Sequence, residues 1–203
     1  MSIFDKDPGI KNKINLQSDG KFDVKAYLEK FKSKLDDMPK EKINIVAKKI
    51  DTAIKNKKRV FFCGNGGSFS IAEHMVCDYV KGLQRFYDDQ LFFYNIGANT
   101  ALNSALTNDF GHESAYATEL KMYAHSGDIL IAISSSGNSV NILNLVEISK
   151  KIGVYSVGLS GFDGGKLKNI VDISYVAECY NYPTIEALHQ IFLDCIALNL
   201  WRP

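Results

Sequence analysis

The sequence has few of the features that mark secreted or membrane proteins. Its four cysteines (Cys63, Cys77, Cys179 and Cys195) show no CxxC spacing, and no apolar stretch near the N-terminus resembles a signal peptide. No apolar run approaches the roughly 20 residues that are needed to cross a bilayer. We therefore expect a cytoplasmic protein with reduced thiols and no membrane contact.

The sequence also lacks an excess of charge of either sign. The 203 residues include 24 Lys and Arg and 23 Asp and Glu, for a net charge of +1. Such a chain has no electrostatic field that would recruit nucleic acid, so no nucleic-acid partner is expected. Hydrophobic residues make up 46% of the chain, which is typical of a globular protein, and the length suits a single domain.

The N-terminal part divides into an arm and two helices. Residues 1–22 show no periodicity and are expected to form a loose arm, and residues 23–203 form the domain. Apolar residues recur at helical spacing from Val24 to Leu35 and again from Ile43 to Ile54, after Pro39. Residues 23–57 are thus predicted to form two helices, whose apolar stripes must pack on a sheet, on each other or on another subunit.

From Arg59 onward, short apolar runs alternate with helical patterns. The runs at 59–63, 91–95, 128–134, 154–160 and 172–177 are apolar on both faces, as strands of a covered parallel sheet are. Helical patterns occupy about 69–82, 99–106, 112–124, 139–151 and 184–200. The alternation predicts an α/β fold with three layers, a doubly wound, flavodoxin-like, five-stranded parallel sheet preceded by two helices.

Two of the predicted strand-to-helix loops are rich in small polar residues. Residues 64–68 read GNGGS, and residues 134–139 read SSSGNS. Glycines expose backbone N–H groups, serines add hydroxyl donors, and the following helix N-terminus favours an anion. Neither loop contains lysine or arginine or matches a P-loop or dinucleotide turn, so no nucleotide cofactor is predicted. Each loop could instead be an ordinary turn or helix cap, but together they predict a phosphate site.

Four segments resemble one family. The strings CGNGGSFSIAEH, TNDFGHE, ISSSGNSVNIL and GLSGFDGGKL, in this order, resemble the sugar isomerase (SIS) domain family, and within it the phosphoheptose isomerases. The resemblance implies a homotetramer with the N-terminal helices between subunits, and a phosphorylated sugar held chiefly by Ser134, Ser136 and Ser139. The full set of expected substrate-binding residues is Asn65, Gly66, Ser68, Asn99, Ser134, Ser135, Ser136, Ser139 and Glu186.

The resemblance also implies an activity. Phosphoheptose isomerases interconvert sedoheptulose 7-phosphate and D-glycero-D-manno-heptose 7-phosphate by enediol proton transfer, and many hold a zinc ion. The corresponding metal positions here are His74, Asp78, Glu186 and Asp194, and only His74 is unchanged; Asn99 replaces an aspartate. We expect Asp78 and Asp194 to be catalytic and this oxygen-rich set to bind one divalent cation or to share a proton.

Two other functions stay open at this point. A non-catalytic SIS module could bind a phosphosugar or a protein, because the family's catalytic histidine is absent here. An isomerase or epimerase for a different sugar phosphate could use the carboxylates directly.

Overall fold

The structure is a computed structural model that describes residues 21–88 and 90–201. Nearly all of the predicted arm over 1–22 lies outside the described residues. The elements in chain order are α1 (Val24–Asp36), α2 (Lys40–Lys55), β1 (Val60–Cys63), α3 (Gly67–Leu83), β2 (Phe93–Asn95), α4 (Thr100–Phe110), α5 (His112–Tyr123), β3 (Ile129–Ile133), α6 (Val140–Ile152), β4 (Tyr155–Gly161), α7 (Leu167–Ile170), β5 (Ile173–Ala177) and α8 (Tyr182–Leu200).

The five strands form one parallel sheet in the order β2-β1-β3-β4-β5. Val60 pairs with Phe93 on one side and with Ile129 on the other. The strand after β1 is therefore added on one side of it and the later strands on the other, which places the switch point between β1 and β3. This order is the flavodoxin-like, doubly wound topology. The predicted fold class is confirmed, and the short helix α7 is an addition that the sequence pattern did not indicate.

The sheet separates two hydrophobic clusters. Val60 and Phe62 of β1 face the cluster formed with α2, α3 and α8. Phe61 and Cys63 face the other cluster, which includes side chains from α5, α6 and α7. Both faces of the strand are fully buried, which explains why its sequence is apolar without alternation.

The two N-terminal helices differ in how far they are covered. Helix α2 buries the stripe from Ile43 to Ile54 and packs mainly on α8. Helix α1 has no buried residue, and its Val24 and Leu28 side chains are 55% and 57% exposed. The chain itself therefore covers the apolar stripe of α2, but it covers that of α1 only in part. No helix in the described ranges combines the length and the apolar character that a membrane span requires.

Candidate functional site

The two serine- and glycine-rich loops meet at one cavity beside the switch point of the sheet. This serine cavity has a volume of ≈ 150 Å³ and is lined by Asn65, Ser68, Ile133, Ser134, Ser135, Ser136, Ser139, Tyr182 and Glu186. It lies at the carboxyl ends of β1 and β3, because residue 65 follows β1 and residues 134–136 follow β3. Of the nine expected substrate-binding residues, seven line it, and Gly66 and Asn99 do not.

Internal hydrogen bonds fix the loop between β3 and α6. The hydroxyl of Ser134 donates to that of Ser139 at 3.1 Å, and the backbone N–H of Asn138 donates to Ser136 Oγ at 3.2 Å. Gly137 has a φ of +64°, and a Cβ there would overlap the carbonyl group of Gly164. Only glycine satisfies both the left-handed backbone and this close approach to the next loop.

The loop after β1 is held by hydrogen bonds to a side chain of α6. Asn65 and Asn141 form two reciprocal amide hydrogen bonds, each of 2.9 Å, which tie the loop to α6. Gly66 adopts a φ of +53° at the N-cap of α3. The Gly66 backbone turns the chain into the helix, while Asn65 and Ser68 carry the polar atoms on either side of that turn. The amide of Asn65 therefore helps to hold the wall of the cavity in place through its hydrogen bonds to Asn141.

One hydroxyl in the cavity has no partner. Ser135 is 6% exposed, and its Oγ makes no hydrogen bond within the described part of the chain. A buried hydroxyl without a partner is costly, and such groups are rare in folded proteins. Together with the N-termini of α3 and α6, it provides neutral donors that suit a small anion.

Glu186 is the acidic residue of the serine cavity. It projects from α8 onto the first turn of α3, where a Cβ added at Gly67 would overlap both of its carboxylate oxygens. Burial raises the pKa of Glu186 above its usual value, because a half-buried carboxylate loses hydration. The carboxyl group therefore lies at the N-terminal end of α3, the end of a helix that favours negative charge.

The other predicted acidic residues lie in a second cavity, which we call the carboxylate cavity. It has a volume of ≈ 460 Å³ and is lined by His74, Asp78, Lys81, Gly82, Arg85, Asp194, Ala197, Leu198 and Trp201. His74 Nε2 lies 3.2 Å from Asp78 Oδ2, and the amide of Gln190 donates to Asp194 at 3.0 Å. Burial is the main cause that raises the pKa of Asp194, and the charge of Asp78 adds to it.

The predicted four-residue metal set is not formed within one chain. Among residues 21–88 and 90–201, no group of three or more His, Cys, Asp or Glu side chains could hold a metal ion. Glu186 and Asp194 are eight residues apart on α8, which separates their backbones by about 12 Å along the helix axis. The four expected metal positions therefore lie in two cavities of one chain, and the predicted metal ion is not confirmed.

Asn99 lies outside the lining of the serine cavity. It is the N-cap of α4, where its exposed side chain accepts a hydrogen bond of 3.1 Å from the N–H of Leu102. The side-chain oxygen is thereby committed to capping the helix.

Two buried polar residues near the site were not predicted as functional residues. Glu119 is 0% exposed and accepts hydrogen bonds of 2.8 Å from the Tyr94 hydroxyl and from the N–H of Gly97. His189 is also fully buried, and its Nε2 donates to the carbonyl of Ser160 at 2.9 Å. Burial lowers the pKa of His189 to about 4, because the interior disfavours the charged imidazolium.

The geometry describes a doubly wound α/β protein whose switch point holds a cavity lined mainly by neutral hydrogen-bonding groups. The family assignment agrees with this description: residues 24–161 match the model of the SIS domain. The chain belongs to the SIS domain family.

Curated relatives have a common name. The chain is 32% identical over 176 residues to a phosphoheptose isomerase of Helicobacter pylori, covering 85% of this chain and 89% of the relative. It is 37% identical over 139 residues to a phosphoheptose isomerase of a Nitratiruptor species, covering 68% of this chain and 73% of the relative.

Solved structures give the same result for the fold. The phosphoheptose isomerase of Francisella tularensis superposes with a TM-score of 0.80 at 25% identity, covering 87% of this chain and 95% of that one. For the phosphoheptose isomerase GmhA of Neisseria gonorrhoeae the TM-score is 0.79 at 22% identity, with 87% and 96% covered.

Proposed function

We propose that the protein is a phosphosugar aldose–ketose isomerase that interconverts sedoheptulose 7-phosphate and D-glycero-D-manno-heptose 7-phosphate. The observation that carries the proposal is the serine cavity, where two loops of neutral donors converge at the switch point. The resemblance to proteins named phosphoheptose isomerase supports the choice of a heptose phosphate.

The serine cavity suits the phosphate group of such a sugar. The hydroxyl of Ser135 is buried without a partner among the described residues, and hydroxyls of Ser134, Ser136 and Ser139 line the same space. Hydrogen bonds from neutral groups can share the charge of a phosphate that also lies near helix N-termini. The phosphate would thus anchor one end of the substrate at fixed loops.

The reacting end of the sugar would then lie toward the carboxylate cavity. From Gly67 to His74 on α3 is about 10 Å along the helix axis, and an extended seven-carbon chain spans a comparable length. Asp78 and Asp194 line that cavity. A substrate fixed at the serine cavity can therefore bring its first two carbons close to these carboxyl groups.

Isomerisation requires only proton transfers. A base removes a proton from C1 of the ketose while an acid protonates the oxygen on C2, which gives an enediol. A proton returned to C2, with loss of the proton from the oxygen on C1, gives the aldose. We assign the proton transfers to Asp78 and Asp194, and the raised pKa of Asp194 suits the acid. No step is assigned to a metal ion, because the described residues of one chain form no ligand set.

The direct test follows the conversion of sedoheptulose 7-phosphate by proton NMR in D₂O. The wild type should form the aldose and exchange deuterium into it from solvent. Asp194→Asn should lower kcat by about 10²-fold or more, since acid–base groups contribute about 10²–10⁴-fold. Its affinity for the sugar phosphate should stay within a small factor of the wild-type value. An Asp194→Asn protein of normal activity would remove this residue from the mechanism.

A second candidate function is a non-catalytic module that binds a phosphosugar. The observation that favours it is the dispersal of the expected metal positions between two cavities. A wild type that binds sugar phosphates yet converts none of a broad panel, with added Zn²⁺, Mn²⁺ or Mg²⁺, would support the module over the enzyme.

We also infer that the protein acts in the cytoplasm as a homotetramer. Helix α1 supports the assembly, because it presents exposed Val24 and Leu28 that its own chain does not cover.

A further inference from the structure

The serine cavity has an aromatic side chain in its wall. Tyr182, in the first turn of α8, lines the cavity together with the serine hydroxyls, the amide of Asn65 and the carboxyl group of Glu186. Tyr182 was not among the substrate-binding residues that the family resemblance implied. Its side chain is partly buried and offers a large, rigid surface beside a volume of only ≈ 150 Å³. A ligand that fills this volume therefore contacts the ring.

The start of α8 fixes the backbone of Tyr182. Asn181 is the N-cap, and its side-chain oxygen accepts a hydrogen bond of 2.9 Å from the N–H of Thr184. Pro183 follows Tyr182 directly in the first turn, and its ring restricts the backbone at that point. The first turn of the helix thus holds Tyr182 in one place beside the cavity.

The ring of Phe162 packs against the ring of Tyr182. The two centroids are 5.4 Å apart and the ring planes are inclined by 77°, which is the edge-to-face arrangement that aromatic pairs prefer. Phe162 follows β4 and has a φ of +52°, a left-handed conformation that bulky residues rarely adopt. Such a conformation persists only where the surrounding structure holds the residue in place, and it occurs often at functional sites.

Hydrogen bonds connect this turn to the serine loop. The N–H of Gly161 donates to the carbonyl of Ser135 at 2.8 Å, and the N–H of Phe162 donates to the carbonyl of Cys179 at 3.1 Å. The turn after β4 thus contacts both the loop that precedes α6 and the segment that precedes α8. The same turn that is bonded to the serine loop therefore holds Phe162 against Tyr182.

The place of Tyr182 along α8 relates it to the phosphate and not to the reacting carbons. Glu186 lies one turn further along the helix, and Asp194 lies about 18 Å from Tyr182 along the axis. The function proposed above places the first two carbons of the sugar near Asp194. The phosphate end, at the serine hydroxyls, is then the part of the substrate that Tyr182 contacts.

We propose that the ring of Tyr182 covers a phosphate group bound in the serine cavity, and that it sets the affinity for the substrate without taking part in the proton transfers. The proposal deepens the proposed function and rests on it, because it concerns the phosphate end of the same substrate. A covering ring keeps water from one side of the phosphate, which strengthens the hydrogen bonds that the serine hydroxyls donate. Phe162 is a positioning residue that keeps this ring in place.

Calorimetric titration with inorganic phosphate and with sedoheptulose 7-phosphate tests this role. Tyr182→Ala should weaken the binding of both ligands by about tenfold, because both carry the covered group. Tyr182→Phe keeps the ring and should restore most of the affinity. Tyr180→Ala is the matched control, since Tyr180 also contacts the Phe162 ring but is 65% exposed and does not line the cavity. It should bind both ligands as the wild type does.

The role of Phe162 is tested by a double-mutant cycle. Phe162→Ala should weaken the binding of sedoheptulose 7-phosphate when Tyr182 is present and should have no further effect in Tyr182→Ala, because it acts through that ring. An effect of the same size in both backgrounds would overturn the positioning role.

Kinetics separate a covering residue from a catalytic one. Tyr182→Ala should raise the KM for sedoheptulose 7-phosphate and leave kcat nearly unchanged, which is the pattern of lost uniform binding. A lower kcat at unchanged KM would overturn the proposal. A further measurement needs no variant: saturating inorganic phosphate should slow the nitration of Tyr182 by tetranitromethane in the wild type, as read by mass spectrometry, while Tyr180 reacts as before. Equal nitration of Tyr182 with and without phosphate would also overturn it.

The outcomes distinguish this inference from the proposed function. If the wild type and Tyr182→Ala bound both ligands equally well, Tyr182 would have no role and the phosphate site would remain. Binding by Tyr182→Phe that is as weak as that by Tyr182→Ala, or an equal loss in Tyr180→Ala, would likewise exclude a covering ring. Failure of the wild type to bind either phosphate compound would overturn both proposals.

Discussion

The unpartnered hydroxyl of Ser135 leads to a prediction in which stability and binding change in opposite directions. In the free protein this hydroxyl is buried and makes no hydrogen bond within the described residues. Ser135→Ala removes an unsatisfied polar group, so the free energy of unfolding should rise by about 1 kcal/mol. Urea unfolding at neutral pH measures this change.

Binding should weaken in the same variant. A hydrogen bond to a charged group contributes about 1.5–3 kcal/mol, which corresponds to a loss of about 10- to 150-fold in affinity for sedoheptulose 7-phosphate. Isothermal calorimetry at neutral pH measures it. Ser136 is less suitable for this test, because its Oγ accepts the N–H of Asn138 and supports the loop itself.

Ser160 supplies the matched control. Its Oγ is also buried without a partner among the described residues, but the side chain does not line the serine cavity. Ser160→Ala should therefore raise stability by a similar amount and leave the affinity unchanged. If Ser135→Ala bound the sugar phosphate as tightly as the wild type, this hydroxyl would not belong to the site. A clear loss of stability would show that it has a partner in the free protein.

Two further predictions concern stability and assembly. Because the folded pKa of His189 is about 4, below its unfolded value, the stability that it contributes is complete above about pH 6.5 and falls by about 3 kcal/mol toward pH 4. Unfolding measured at about pH 7 and about pH 4.5 should show a smaller loss for His189→Gln than for the wild type, and equal losses would refute the assignment. Light scattering should give a tetramer that Leu28→Glu dissociates, whereas a stable wild-type monomer of 22.6 kDa at micromolar concentration would contradict the proposed assembly.

Much of the fold follows from local patterns in the sequence. The runs VFFC and ILIAI are buried on both faces, and a strand with this environment must lie inside a covered parallel sheet. The small residues at 64–68 and 134–139 indicated the position of the serine cavity, since loops at the carboxyl ends of parallel strands beside a switch point converge. Strand and helix ends depend on hydrogen bonds with neighbours, which is why β2 begins at Phe93 and not at residue 91.

The grouping of the acidic residues could not be obtained from the sequence. Glu186 and Asp194 both project from α8, but the helix separates them by about 12 Å along its axis, and each then faces a different cavity. A match to a family pattern gives the order of the residues along the chain. It does not show whether a shorter side chain, such as that of Asp78, extends to the same point as the family's longer one.

The sequence by itself determined the sheet, the two loops and the residue types in the serine cavity, because each depends on local spacing and on the parallel topology. Only the tertiary structure decided that the carboxyl group of Glu186 lies against Gly67. It alone also showed that Glu119 is buried beneath Gly97, at the end of β2. Such contacts join segments that are distant along the chain, and their distances are set by how helices pack on the sheet.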